Sequence, residues 1–189
     1  MQITTLTVGP VATCCYLLSA DGENVPCLLV DPGDEPERIL RALGSRPLAG
    51  ILLTHGHFDH IGAVSALMRP GLPLLIHALD APMLSDPERN ASRLLLRRDV
   101  TAPAATDLLR EGSRRTLAGL EVEVLHTPGH TPGSVCYRIG NHLFTGDTLF
   151  EHGWGRTDLP GGDEHAIYAS LRRLIPLTRE FSIHPGHET

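Results

Sequence analysis

The feature that most constrains this chain is the apolar run Leu48–Leu53, which ends in Thr54-His55-Gly56-His57-Phe58-Asp59-His60. A run of that length reads as a buried strand, and it delivers four metal-binding side chains at its C-terminal end. Three imidazoles and a carboxylate suit zinc, iron or manganese, which favour nitrogen and oxygen donors. Alternate residues of an extended segment point the same way, so His55 and His57 can grip one ion from one side. Asp59 and His60 fall where the chain turns into a helix and are free to hold a second ion. A histidine-rich surface loop is the plain alternative, and the dense, regular spacing of donors argues against it.

The elements around the motif follow from pattern. Ile3–Val8, Cys14–Ser19 and Pro26–Val30 read as short strands separated by Gly, Pro and Asp turns. After the turn Asp31-Pro32-Gly33-Asp34, a helix capped by Asp34 or a neighbour carries Ile39, Leu40 and Leu43 and stops at Gly44. A second helix follows the histidine motif, with Ile61, Val64, Ala66, Leu67 and Met68 as its apolar positions and Pro70-Gly71 as its stop. Leu74–His77 is a further buried strand. Residues 78–112 are weakly patterned and hold an arginine cluster, Arg93, Arg97 and Arg98; they read as a solvated helix and loop or as a lid. Strands resume over Glu121–Leu125, Ser134–Ile139 and His142–Thr145. An amphipathic helix over Asp163–Ile175 and a last strand, Phe181–His184, complete two similar halves that would face each other.

Composition removes several function classes. At 189 residues and 20.5 kDa the chain reads as a single domain, 1–189. A formal charge of −6 opposes nucleic-acid binding, which needs a basic face. All 16 basic residues are arginine, so Schiff-base chemistry is excluded and any fixed cation in a pocket must be Arg. No apolar run approaches the ~20 residues of a membrane span, and the N-terminus has no leader pattern. The expectation is therefore a cytoplasmic protein without membrane contact. Cys14, Cys15, Cys27 and Cys136 lie in apolar runs, as buried free thiols do.

Two ions need more ligands than one motif supplies, and the chain offers them at strand ends. His130 sits in the tight turn Pro128-Gly129-His130-Thr131, while His126 is placed to pack or hydrogen-bond behind it. Asp147 follows Gly146 at the end of the His142 strand, where a carboxylate can bridge two ions. His187 follows Pro185-Gly186 after the last strand. His142, His152 and His165 read as surface residues, His77 as a strand-end residue and His184 as a structural neighbour of His187.

These segments together, in this order and across essentially the whole chain, resemble the metallo-β-lactamase superfamily. The resemblance implies an α/β fold, a four-layer αβ/βα sandwich of two mixed sheets with helices outside, and a structural role for Asp31. Phe58, the His60-Ile61-Gly62-Ala63 continuation and Gly155-Arg156-Thr157-Asp158 most resemble small bacterial glyoxalase II-like hydrolases. Carried over position by position, His55, His57 and His130 would hold one metal, Asp59, His60 and His187 the other, and Asp147 would bridge them. Two divalent ions, zinc with iron or manganese as alternatives, would share a hydroxide that attacks a thioester such as S-lactoylglutathione. Asp59 would orient the hydroxide and take its proton, and Arg156 would meet an anionic group of a glutathione-derived substrate.

The chain departs from full-length glyoxalase II in having no C-terminal helical domain to complete a glutathione site. It also stops two residues after His187, and the expectation is a weaker second metal site. Three other readings remain: a persulfide dioxygenase with one iron on His55, His130 and Asp147, a lactonase, and a metal-binding regulatory module without catalysis.

Overall fold

Alternation along the first strands builds the layers. Strands β1 (Gln2–Val8) and β2 (Thr13–Ser19) form an antiparallel hairpin, and β3 (Cys27–Val30) adds antiparallel to β2. On β2, Cys14, Tyr16 and Leu18 join one apolar cluster while Cys15 and Leu17 join another, so both faces are buried. Strands β4 (Leu48–Leu52), β5 (Leu74–His77) and β6 (Asp107–Leu109) continue the sheet in parallel, giving six strands in sequence order. The computed structural model describes residues 1–188.

The second sheet holds β7 (Arg114–Leu117), β8 (Leu120–His126), β9 (Val135–Ile139), β10 (His142–Gly146) and β11 (Ser182–Pro185), ordered β11-β10-β9-β8-β7. Its neighbours are antiparallel except β10 and β11. Between the sheets lies a core that includes Tyr16, Leu28, Val30, Leu52, Val122, Tyr137 and Phe144. Helices α1 (Pro36–Leu43), α2 (Phe58–Ile61) and α3 (Val64–Leu67) cover the outer face of the first sheet, through Ile39, Leu43, Ile61, Val64 and Leu67. A short α4 (Ser92–Leu96) precedes β6, and α5 (Glu164–Leu174) packs Leu174 on Cys136 and Leu143 outside the second sheet. This is the expected α/β sandwich of four layers. Among the described residues no helix is long and apolar enough to cross a membrane.

Several local expectations change. Leu40 is 47% exposed, so α1 buries only Ile39 and Leu43. Glu35 occupies its N-cap without a side-chain cap, while Asp34 Oδ1 instead accepts the Glu35 N–H at 2.7 Å. The helix expected after the histidine motif is split into α2 and α3. A Cβ at Gly62 would lie 2.2 Å from the Gly33 oxygen, and one at Gly33 only 1.7 Å from the Asp59 oxygen. The Asp31–Gly33 turn thus presses on the motif, and Ala63 N–H donates to Pro32 O at 3.0 Å instead of continuing the helix. Ala66, expected to be apolar core, is exposed.

Candidate metal centre

The site forms where β4, β8, β10 and β11 end. Asp31, 1% exposed, accepts the Thr54 N–H at 2.8 Å and the Thr54 hydroxyl at 2.6 Å, fixing the chain as it leaves β4. Thr54 Oγ1 lies 3.1 Å from His55 Nδ1, and Asp31 Oδ2 lies 3.0 Å from His60 Nδ1. One buried carboxylate therefore fixes Thr54 beside His55 and lies against His60, so it touches both expected ligand groups. His130 Nδ1 donates to the Arg156 carbonyl at 2.7 Å, which leaves Nε2 to face His57 Nδ1 at 2.9 Å.

His187 is tied from two directions. Its Nδ1 donates to Val11 O at 3.0 Å, and its backbone bridges Thr13 at the start of β2. Cys14 N–H donates to Gly186 O at 2.7 Å, and Gly186 N–H to Gly146 O at 2.8 Å. The last ligand candidate is thereby knitted to both sheets.

The fold brings all seven sequence-predicted metal residues together. Donor atoms of His55, His57 and His130 lie within 4.8 Å of one another, as do those of Asp59, His60 and His187. Asp147 stands between the groups: Oδ1 is 3.3 Å from His60 Nε2, and Oδ2 is 3.5 Å from His130 Nε2 and 3.4 Å from His187 Nε2. Five buried polar atoms here, His55 Nε2, His57 Nε2, both ring nitrogens of His60 and Asp147 Oδ1, have no hydrogen-bond partner. Buried polar groups are nearly always satisfied, and this donor chemistry fits divalent cations.

Protonation separates the two groups. Burial, with His130 alongside, lowers His57 to about 3, and burial with His60 alongside lowers His55 well below its ordinary value. Neutral imidazoles are the form that binds metal. Burial also works against charge on His60 and His187, but carboxylates outweigh it. Asp59, Asp147 and Asp31 hold His60 well above the ordinary value, and Asp147 with Asp59 lift His187 to about 9. Burial raises Asp59 and Asp147, yet His60 and His187 prevail and keep both carboxyls below the usual range.

A stability consequence follows from His187. Its folded value of about 9 exceeds its ordinary 6.5, so its stabilising contribution is full below 6.5 and is lost as pH rises through 9. Metal-free protein is expected to lose thermal stability from pH 6.5 to 9. Over the same interval its affinity for divalent metal should rise, by up to about tenfold per pH unit for one proton released. Thermal melts and competitive metal titrations at matched ionic strength check both trends.

Two supporting residues have no sequence signature. Asp80, 0% exposed, accepts Gly56 N–H at 3.1 Å, Gly133 N–H at 2.7 Å and the Thr131 hydroxyl at 2.6 Å. It thus clamps the His55–His57 loop to the His130 loop. Burial raises its carboxyl above the usual range, and the three hydrogen bonds oppose that rise. Thr13, also buried, donates its hydroxyl to Asp59 Oδ2 at 3.1 Å.

A cleft of about 340 Å³ opens over the centre, with His57, Asp59, His130, Asp147, Arg156 and His187 in its wall. An adjoining cavity of about 370 Å³ shares Val11, Phe58 and Asp59 with it and reaches Arg98. Arg156 faces the cleft with its guanidinium held by Asp158 through two bonds of 2.6 Å. The other histidines stand apart from the centre. His77 is buried and stacks on His126 at 4.1 Å, His126 Nε2 donates to Pro132 O at 2.9 Å, and His152 and His165 are exposed. His142, expected at the surface, is half-buried because its ring bonds His184 at 2.9 Å.

A layered fold with histidine and aspartate clusters at strand ends defines a class of metalloprotein, and the family profile described as "Metallo-beta-lactamase superfamily" matches residues 8–187. The chain belongs to that superfamily. It is 36% identical to "Probable metallo-hydrolase YqgX" of Bacillus subtilis, over 96% of this chain and 88% of the other. It is 34% identical to "Hydroxyacylglutathione hydrolase GloC" of Haemophilus influenzae, over 99% and 91%. Among solved structures it is similar to the BLEG-1 B3 metallo-beta-lactamase, with TM-score 0.92 and 36% identity over 100% of this chain and 92% of that one. The di-iron-bound TTHA1623 gives TM-score 0.85 and 39% identity over 98% and 92%. These likenesses support a metal-dependent hydrolase, and one of the similar structures holds two irons.

Proposed function

We propose that this chain is a two-metal hydrolase of thioesters, with zinc as the metal. The observation that carries the reading is the pair of ligand groups joined by Asp147, with five buried polar atoms of these residues left unpartnered. His55, His57 and His130 would hold one ion, Asp59, His60 and His187 the other, and Asp147 both. When bound, such ions acidify water from a pKa of 15.7 to ~7 and polarise a carbonyl, so no activated serine or cysteine is required.

The chain's own residues supply the rest. Asp59 would receive a proton: its Oδ2 accepts the Thr13 hydroxyl, and the residue lines both cavities. The Arg156 carbonyl orients His130 through a hydrogen bond, and the Asp31 carboxylate lies 3.0 Å from His60 Nδ1 as its counter-charge. The four cysteines are buried, and burial pushes Cys136 up to about 12, which leaves no thiolate to act as a nucleophile there.

Arg156 is proposed as a contact for the substrate's polar arm. Because Asp158 occupies the Nε–Nη2 edge of its guanidinium, Arg156→Ala is expected to raise KM by less than about tenfold while kcat is retained. Steady-state kinetics that showed a collapsed kcat instead would assign Arg156 to the chemistry.

S-lactoylglutathione and simple acyl thioesters, assayed with metal-loaded protein, test the reading. Hydrolysis of a thioester supports it. Oxygen consumption with glutathione persulfide, without hydrolysis, would assign the one-iron dioxygenase chemistry in its place.

A further inference from the structure

The cleft beside the metal centre has an apolar side built on a segment that is firmly held. Leu95 on α4 is 47% exposed yet lines the cleft, together with Val11 (44% exposed), Phe150 and Leu159. The segment that presents Leu95 is braced. Asn90, 0% exposed, donates its amide to Met83 O at 3.0 Å and to Val100 O at 2.9 Å, clamping both ends of the excursion. Ala91 and Arg97 bound α4 in left-handed conformations, at φ 64 and 54. Ala91 and Leu159 pack on Phe58, inside the metal motif itself, with Leu96 and Val100 against them.

An exposed leucine on such a braced helix, facing a metal centre, is a recognition surface rather than a loose end. The one guanidinium in the cleft wall, Arg156, is already paired with Asp158. Asp158 already offsets that cation along its Nε–Nη2 edge and weakens its pull on an anionic group next to the scissile bond, while an apolar group finds Leu95, Phe150 and Leu159. The thiols that carry acyl groups in water are polar molecules, so the apolar arm of the substrate is the acyl chain.

We infer that the cleft between Val11, Leu95, Phe150 and Leu159 selects thioesters with an unbranched apolar acyl chain several carbons long, over small hydroxyacyl groups. This rests on the thioester reading above and names its substrate class.

The test holds the thiol constant. Acetyl, butanoyl, hexanoyl and octanoyl thioesters of N-acetylcysteamine are assayed with metal-loaded protein. Calorimetry follows the binding of ketone isosteres, in which a methylene replaces the sulfur. Burial of each methylene predicts a gain of about two- to fourfold in kcat/KM and in ketone affinity across the series. Leu95→Asp, on an exposed position that folding does not need, is expected to flatten both series. Leu94→Asp, 60% exposed on the same helix but in neither cavity wall, is expected to preserve both slopes.

A flat or falling activity series, or a lactoyl thioester of N-acetylcysteamine assayed beside it and preferred over octanoyl, overturns the inference while thioester hydrolysis stands. If no thioester is cleaved, ketone affinity that rises in the parent and flattens in Leu95→Asp keeps the apolar cleft and removes the thioesterase reading. Ketone affinity that is flat in the parent overturns the inference outright.

Discussion

Asp59→Ala is expected to lower kcat/KM for thioester hydrolysis by about a thousandfold or more. Loss of a positioned proton acceptor costs roughly 10²–10⁴-fold, and Asp59 also stands within a proposed ligand group. Its Oδ2 is 3.2 Å from His187 Nε2, 3.5 Å from His60 Nε2 and 3.1 Å from the Thr13 hydroxyl. Asp59→Asn separates the two roles, because it keeps the shape and one acceptor oxygen but cannot take a proton. Metal analysis of both variants completes the experiment. Asn protein that keeps its metal and loses turnover assigns the proton role, and near-normal turnover in the Ala variant would remove Asp59 from the mechanism.

Asp80→Asn is expected to be the most damaging change outside the ligand set. The carboxylate accepts two backbone N–H groups and a hydroxyl in a fully buried position. An amide has a single acceptor oxygen, and its NH₂ would be turned against a donor. Leaving buried donors unsatisfied costs about 1–3 kcal/mol each, so a loss of roughly 3 kcal/mol is expected. For a chain of this size that lowers Tm by about 6–12 °C. Because Asp80 joins the loops that carry His55, His57 and His130, metal affinity should fall about ten- to a hundredfold as well. Calorimetric melting and a chelator competition measure the two effects. A variant with parental Tm and parental metal affinity would show that the clamp holds nothing.

The parts of the fold set by local pattern were legible in the chain itself. The apolar runs of β4 and β2 and the amphipathic pattern of α5 each express one strong local signal, and each element forms where expected. β6 and β7 were not legible, being three and four residues long with alternating exposure and charged side chains. Their place is fixed by neighbours: β6 pairs β5 through Leu75–Asp107, and Arg115 reaches back to Asp107 at 2.5 Å. The split of the helix after His60 was hidden for the same reason, since it depends on contact with the distant Gly33.

The proposed ligands were readable because strand-end turns concentrate donor residues at recognisable spacings. Their supports were not. Asp80 and Thr13 look ordinary along the chain, and the role of Arg156 toward His130 is played by a backbone carbonyl, on which sequence is silent. The placement of His187 was equally hidden from local pattern. Its anchoring comes from Val11 and Thr13, which are more than 170 positions away.

The central claim is that two ions, bridged by Asp147, act together in hydrolysis. Elemental analysis of desalted, reconstituted protein, taken alongside thioester turnover on the same sample, tests it most directly. The account predicts two equivalents of divalent metal per chain in fully active protein, with turnover lost as the second equivalent is withdrawn. Full thioesterase activity with a single ion per chain would contradict it.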